Sequence, residues 1–169
     1  MNVDWERVLQ EEAPPAWRTA CRLLGNQQDA EDCLQDALAD TVQISQRQVI
    51  RNYRALLQRL VTTRAMDQLR RRYCRRPANS QDHLESIKDR SLSPPLQAQG
   101  DELLERLRSA LPSLPAQQSQ AFVLNCIEGC SYQEVADLLG LSVGAVGMLV
   151  LRARERLKQM LGETCDVKR

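Results

Sequence analysis

Apolar residues recur at intervals of three and four along most of this chain, and that period admits one secondary structure. Trp17, Ala20, Cys21 and Leu24 form one such stripe, and Ala30, Cys33, Leu34, Ala37, Leu38 and Thr41 form a second. Tyr53, Leu56, Leu57, Leu60, Val61, Ala65, Leu69 and Tyr73 form a third, and Leu103, Leu104, Leu107 and Leu111 a fourth. Each is a buried face at helical spacing. Aromatic residues are 4% of the chain, and Gly and Pro number 7 each, too few for the strands and turns of a sandwich or barrel. The expected fold class is all-α.

Punctuation divides the helices. Trp5, Val8 and Leu9 open a short amphipathic stretch, which Pro14-Pro15 is expected to break. Gly25-Asn26 ends the helix that follows, and the next starts near Asp29. A long helix is expected from about Arg51 to Arg75, stopped by Pro77. The polar stretch 77–100, with three prolines, reads as a flexible linker. It separates two small helical domains, 1–76 and 101–164, with 165–169 as a tail. In the second, Pro112 and Pro115 bracket a turn, and Gln117 to Glu128 is helical up to Gly129. Ser131 and Glu134 have the spacing of a capping box that opens a helix from Tyr132 to Leu139. Gly140 closes that helix, and Ser142 caps a longer one that runs to about Leu161. Short helix, Gly-containing turn and longer helix make a helix-turn-helix at about 131–151.

The net charge of +1 excludes a uniformly basic nucleic-acid binder and an acidic solvating tail. It conceals strong asymmetry. Residues 1–50 carry nine acids and four bases, whereas 51–76 carry nine arginines and one acid. An Arg-dense helix next to an acidic one points to two partners of opposite sign, and arginine suits phosphate and base contacts.

Other classes find little support. The single His, with no Gly-rich phosphate loop and no H-E-x-x-H, leaves no basis for an enzyme. Cys126, Cys130 and His83 fall within loose zinc spacing, but no second close pair accompanies them, so neither metal nor cofactor is expected. Cys21 and Cys33 lie on apolar faces as core filler. No apolar run approaches the roughly 18 residues of a membrane span, and the N-terminus is not a signal peptide. A cytoplasmic chain with six reduced cysteines is expected.

Two segments resemble the extracytoplasmic-function sigma factors. Ala20–Arg76 is similar to region two of that family. Asp29-Ala30-Glu31-Asp32 with Gln35-Asp36 matches its core-polymerase-binding helix, and Ala65-Met66-Asp67-Gln68-Leu69-Arg70-Arg71 matches its A-[IL]-D-x-[LI]-R-R signature. Leu111–Leu157 is similar to region four, whose helix-turn-helix reads the minus-thirty-five promoter element. The resemblance implies that Asp29, Asp32, Gln35 and Asp36 bind the β′ clamp of bacterial core RNA polymerase, with the β flap as a further contact. It implies that Arg59, Thr63, Arg64, Arg70, Arg71 and Arg72 face minus-ten DNA. It also implies that Ser142, Val143, Ala145, Met148, Arg152 and Arg154 face the minus-thirty-five element. Promoter DNA, polymerase and an anti-sigma factor are the implied partners, with no membrane. With the sequence ending at Arg169, regulation by a C-terminal extension is not expected.

The chain departs from the family pattern in two places. Thr63 stands where the family usually has Asn, so bidentate amide recognition is lost. The recognition helix carries Ala145, Gly147, Met148 and Leu149 where the family usually has Thr, Lys, Ser and Arg. Three readings stay open: apolar contact of Val143, Ala145 and Met148 with thymine methyls, phosphate contact by Arg152 and Arg154, or an apolar patch of Met148, Leu149 and Leu151 that binds protein. Weak minus-thirty-five reading is expected, with specificity resting on region two. The alternatives are a sigma-derived interaction protein and a stand-alone helix-turn-helix regulator.

Overall fold

The computed structural model describes residues 4–74 and 94–162, and every regular element among them is helical. The N-terminal arm does not break at its prolines. Helix α1 (Trp5–Arg7) passes through a π-helical turn (Val8–Glu12) into α2 (Ala13–Leu24). Pro14 and Pro15 sit in the first turn of α2, where a missing N–H costs nothing. The wide turn before them is closed by the Ala13 N–H on the Val8 carbonyl, so the chain stays helical where a break was expected.

Gly25 ends α2 at φ 69°, and its N–H donates to the Cys21 carbonyl at 2.9 Å. Asn26 then caps α3 (Gln27–Arg47), its side-chain oxygen accepting from Gln28 N at 2.8 Å and Asp29 N at 3.2 Å. The cap starts α3 two residues before the expected Asp29. Helix α4 (Tyr53–Cys74) follows, held at its start by Asn52. Helix α5 (Pro94–Ala110) begins inside the stretch expected to be linker, with two prolines as its opening residues. Residues 77–93 of that stretch, and the tail, lie outside the described residues.

A 3₁₀ turn (Leu111–Ser113) leads to α6 (Ala116–Phe122), a second π-helical turn (Val123–Ile127), α7 (Tyr132–Leu139) and α8 (Val143–Leu161). The capping box is complete: Glu134 N donates to Ser131 Oγ at 3.2 Å, and Ser131 N to Glu134 Oε2 at 2.7 Å. Gly140 closes α7 in the left-handed region, and Ser142 Oγ accepts from Ala145 N.

The two helical units pack on one another. One buried cluster joins Ala20, Leu24, Cys33, Leu57, Val61, Met66 and Leu69 of the first unit to Leu111, Phe122, Val123, Ala153 and Leu157 of the second. Burying a single large aliphatic such as Leu111 contributes about 1.5–3 kcal/mol. A second cluster, Ala121, Leu124, Val135, Ala136, Val146 and Val150, is the core of the helix-turn-helix itself. No single described helix is long and apolar enough to cross a membrane; α7 and α8 satisfy length and composition only as a pair bent by 102°.

Polar ties cross the junction as well. Arg108 of α5, 7% exposed, donates from Nε to the Arg22 carbonyl at 2.9 Å. Its guanidinium lies so close over Gly25 that a Cβ there would stand 2.7 Å from Nη1. Arg22 in turn pairs with Glu128 at 3.3 Å, and the Tyr73 hydroxyl donates to Glu105. Gly25→Ala should therefore be penalised twice, by about 1–2 kcal/mol for left-handed strain and again by the clash. Thermal unfolding of Gly25→Ala, Arg108→Ala and the double variant should be clearly non-additive, because Arg108→Ala removes the clash and leaves only the strain. Strict additivity would refute the contact.

Candidate polymerase and nucleic-acid interfaces

The acidic face of α3 is present but only partly free. Asp32, Gln35 and Asp36 are exposed, and Asp29 is half-buried. Asp29 pairs with Arg72 of α4, whose Nη1 also donates to the Leu24 carbonyl at 2.9 Å. Arg64 donates to Asp36 at 3.0 Å and, from Nε, to Asp40 at 3.0 Å. Burial works against the Arg64 charge, but the hydrogen bond and charge of Asp40 and the charge of Asp36 outweigh it and hold the guanidinium ionised. The acidic and basic helices, read from the sequence as facing separate partners, are thus zipped to each other along one flank.

Helix α4 distributes its expected DNA residues unevenly. Arg59 and Arg71 are exposed. Thr63 donates to the Arg59 carbonyl of its own helix at 2.9 Å and accepts from Gln120 Nε2 at 3.1 Å. Arg70 donates to Asp67 at 3.0 Å and to Ser119 Oγ at 3.3 Å. Gln120 and Ser119 belong to α6, which no local pattern in the sequence connects to α4.

The outer face of α8 is apolar over its N-terminal half. Val143, Met148 and Leu151 are 41%, 48% and 49% exposed, and Gly144 and Gly147 have nothing within 4 Å of where a Cβ would stand. Ser142 is committed to capping, and Ala145 is half-buried. Leu149, which one of the three open readings put in an exposed patch with Met148 and Leu151, packs against the helix-turn-helix core. Arg152 is exposed, while Arg154 donates to Cys126 Sγ at 3.3 Å. No cluster of three metal-binding side chains occurs among the described residues, and His83 lies outside them.

Sequence reading missed an open cleft of about 530 Å³ between the N-terminal arm and the α3–α4 loop. Arg7, Arg51, Asn52, Tyr53 and Arg54 are among its lining residues. Trp5 packs edge-on against Tyr53, with ring centroids 5.9 Å apart. Asp4 and Glu12 line it too, and Arg7 pairs with Glu11 at 2.9 Å and Arg54 with Glu12 at 4.0 Å, so the cleft is mixed in charge. The residues are scattered over two sequence segments, and only the fold assembles them.

Residues 104–157 match the family described as Sigma-70, region 4. The chain is 30% identical over 159 residues to the ECF RNA polymerase sigma factor SigE of Mycolicibacterium smegmatis, covering 94% of this chain and 62% of that protein. SigM of Mycobacterium tuberculosis is also 30% identical, over 80% of this chain and 65% of its own length. The sigma factor RpoE from Bartonella quintana, solved with the anti-sigma factor NepR, superposes with a TM-score of 0.59 at 25% identity, covering 94% of this chain and 96% of that one. The chain is similar in sequence and in fold to extracytoplasmic-function sigma factors. It spans somewhat under two thirds of the length of these two mycobacterial sigma factors.

Behind Arg64, burial pushes the Cys33 thiol up to about 12, a shift the Arg64 charge only partly opposes, and burial likewise pushes Cys21 up to about 11. Both folded values exceed the ordinary thiol value of 9.0, so the fold favours the protonated form. The stability these thiols contribute is complete below about pH 9 and is lost as pH rises through 11 to 12. Urea midpoints should hold level from about pH 7 to 8.5 and fall above about 9.5, and Cys33→Ala should make that fall shallower. An equal fall in the variant would rule out Cys33 as a source.

Proposed function

We propose that this sigma factor directs bacterial RNA polymerase to promoters and helps open them, catalysing no reaction itself. One observation carries the reading: the exposed carboxylates Asp32 and Asp36, with Gln35 between them, lie on a helix packed beside one that presents Arg59 and Arg71. A free helix-turn-helix regulator has no use for the first surface. Carboxylates there suit a basic groove on the β′ clamp, and arginines on α4 suit the backbone of the melted strand. The β flap is the proposed contact of region four. Work of this kind takes place in the bacterial cytoplasm. An anti-sigma partner is proposed from the Bartonella neighbour, which was solved with one.

The apolar face of α8 supports a second element of the reading, weak discrimination at the minus-thirty-five position. Val143 and Met148 can touch thymine methyls but offer no hydrogen bond to a base edge. Should the chain bind polymerase and select no promoter, that face would favour the interaction-protein alternative.

Run-off transcription with core polymerase on a pool of random upstream sequences tests both. The wild type should recover a shared minus-ten motif with little information upstream at minus thirty-five. Asp32→Arg, at an exposed position outside the Arg64 pairs, should lower transcription at least about tenfold, as expected for reversing a charge in a charge-complementary contact. Met148→Ala should change promoter choice little. A strong minus-thirty-five motif, or full activity in Asp32→Arg, would contradict the assignment.

A further inference from the structure

We propose that Cys126 and Cys130 form a dithiol that a hydroperoxide oxidises to an intramolecular disulfide, with Cys126 as the attacking thiol. The two residues flank the turn that leads into the helix-turn-helix. The Cys130 N–H donates to the Leu124 carbonyl at 3.0 Å, and Gly129 takes φ 72° to allow it. That bond folds Cys130 back over the Val123–Ile127 turn, which carries Cys126. Asn125 ties the two together: its Nδ2 donates to the Cys130 carbonyl at 2.8 Å, and its Oδ1 accepts from Cys126 Sγ at 3.6 Å. Both cysteines are half-buried and pack against the same apolar cluster. Four residues of helix advance about 6 Å. A disulfide tolerates about 7 Å between Cα atoms, and the bond to Leu124 keeps the chain from running further out.

Their surroundings give the two thiols different parts. Arg154 Nη2 donates to Cys126 Sγ at 3.3 Å on the solvent side, and this bond raises the Arg154 pKa against the opposing effect of burial. A guanidinium donating to sulfur favours the thiolate, which is the nucleophile. The Cys130 thiol is pushed up, by burial first and then by the charges of Glu134 and Glu128, which outweigh Arg54. It stays protonated until an oxidised sulfur is beside it. Cys21 and Cys33 are buried in the core, away from an oxidant. The Cys126 thiolate attacks one peroxide oxygen; an S–O bond forms, the O–O bond breaks, and the leaving oxygen takes up the thiol proton as water or an alcohol. Cys126 is then a sulfenic acid. Cys130 sulfur attacks Cys126 Sγ; the S–S bond forms, the S–O bond breaks, and hydroxide leaves with the Cys130 proton as water. The two sulfurs together lose two electrons to the peroxide. A disulfide sulfur has no charge with which to hold Arg154, and Cys130 adjoins Ser131, the cap of α7, so closure acts on both helices of the helix-turn-helix. In a reducing compartment such a bond is transient, and a small thiol reopens it.

The test adds hydrogen peroxide to the reduced full chain, blocks the remaining thiols with iodoacetamide and maps the peptides by mass spectrometry. Cleavage after Glu128, the one acid between the two cysteines, gives fragments that stay joined only through the disulfide. Wild type should give that link in a chain that runs as a monomer on a non-reducing gel. Cys130→Ser should stop at the sulfenic acid on Cys126, trapped by dimedone. Arg154→Gln should slow the loss of the Cys126 thiol about threefold, because the lost thiolate is partly offset by higher intrinsic nucleophilicity, and Arg154→Lys should restore part of the rate. Circular dichroism confirms that each variant is folded. In wild type, an unreacted Cys126, a sulfenic acid that persists, or a link from Cys126 to any other cysteine overturns the dithiol. An unchanged rate in folded Arg154→Gln overturns Cys126 as the thiol that Arg154 activates. The mapping needs neither polymerase nor DNA, so its outcome is independent of whether the chain selects a promoter.

Discussion

Helix α4 has to serve several neighbours at once, and the rest of the architecture follows from how it does so. It packs against α2, α3, α5, α6 and α7. Leu57, Val61, Ala65 and Leu69 recur every fourth residue on one buried row, and Gln58, Thr62 and Met66 recur on the adjacent row. The rest of the circumference has to carry six arginines, Arg54, Arg59, Arg64, Arg70, Arg71 and Arg72. The arginines resolve this by reaching outward along their aliphatic stems or by finding partners. Gln58, the polar member of the second row, is satisfied by Thr19 of α2, so it enters the core without an orphaned amide donor.

The partners chosen by those arginines explain how so basic a helix lies beside an acidic one. Arg64 takes Asp36 and Asp40, and Arg72 takes Asp29. These pairs keep a third or more of at least one side chain in solvent, and such pairs contribute about 0–1 kcal/mol each. Weak pairs are useful in a chain proposed to exchange its own contacts for those of polymerase and DNA. A buried, fully desolvated network would hold its geometry too firmly to give it up.

Local signals were legible in the sequence because each is closed within a few residues. The capping box of Ser131 and Glu134, the left-handed Gly140 and the cap at Ser142 follow from backbone hydrogen bonding within one turn, and the helix-turn-helix came with them. Signals that depend on partners distant in sequence were not legible. Pro14-Pro15 looks like a break until the Val8–Glu12 turn is seen to widen ahead of it. Leu149 can be read as exposed until it is seen to pack against the helix-turn-helix core. Of the proposed site, residue types and their helices could be read directly. The occupation of Thr63 and Arg70 by α6, and the assembly of the cleft by Tyr53, could not, because hydrophobic periodicity says which face is buried but not against what.

The two open glycines of α8 have a further consequence. Gly144 and Gly147 face solvent with nothing in the space a side chain would fill, while the adjacent Val146 and Val150 are locked in the core. Replacing either glycine removes a cost of up to about 1 kcal/mol in helix propensity and disturbs no packing. The outer face and the structural face of this helix are therefore free to evolve separately. A side chain gained at either glycine would change the chemistry of the outer face with no intermediate that must first survive a loss of fold.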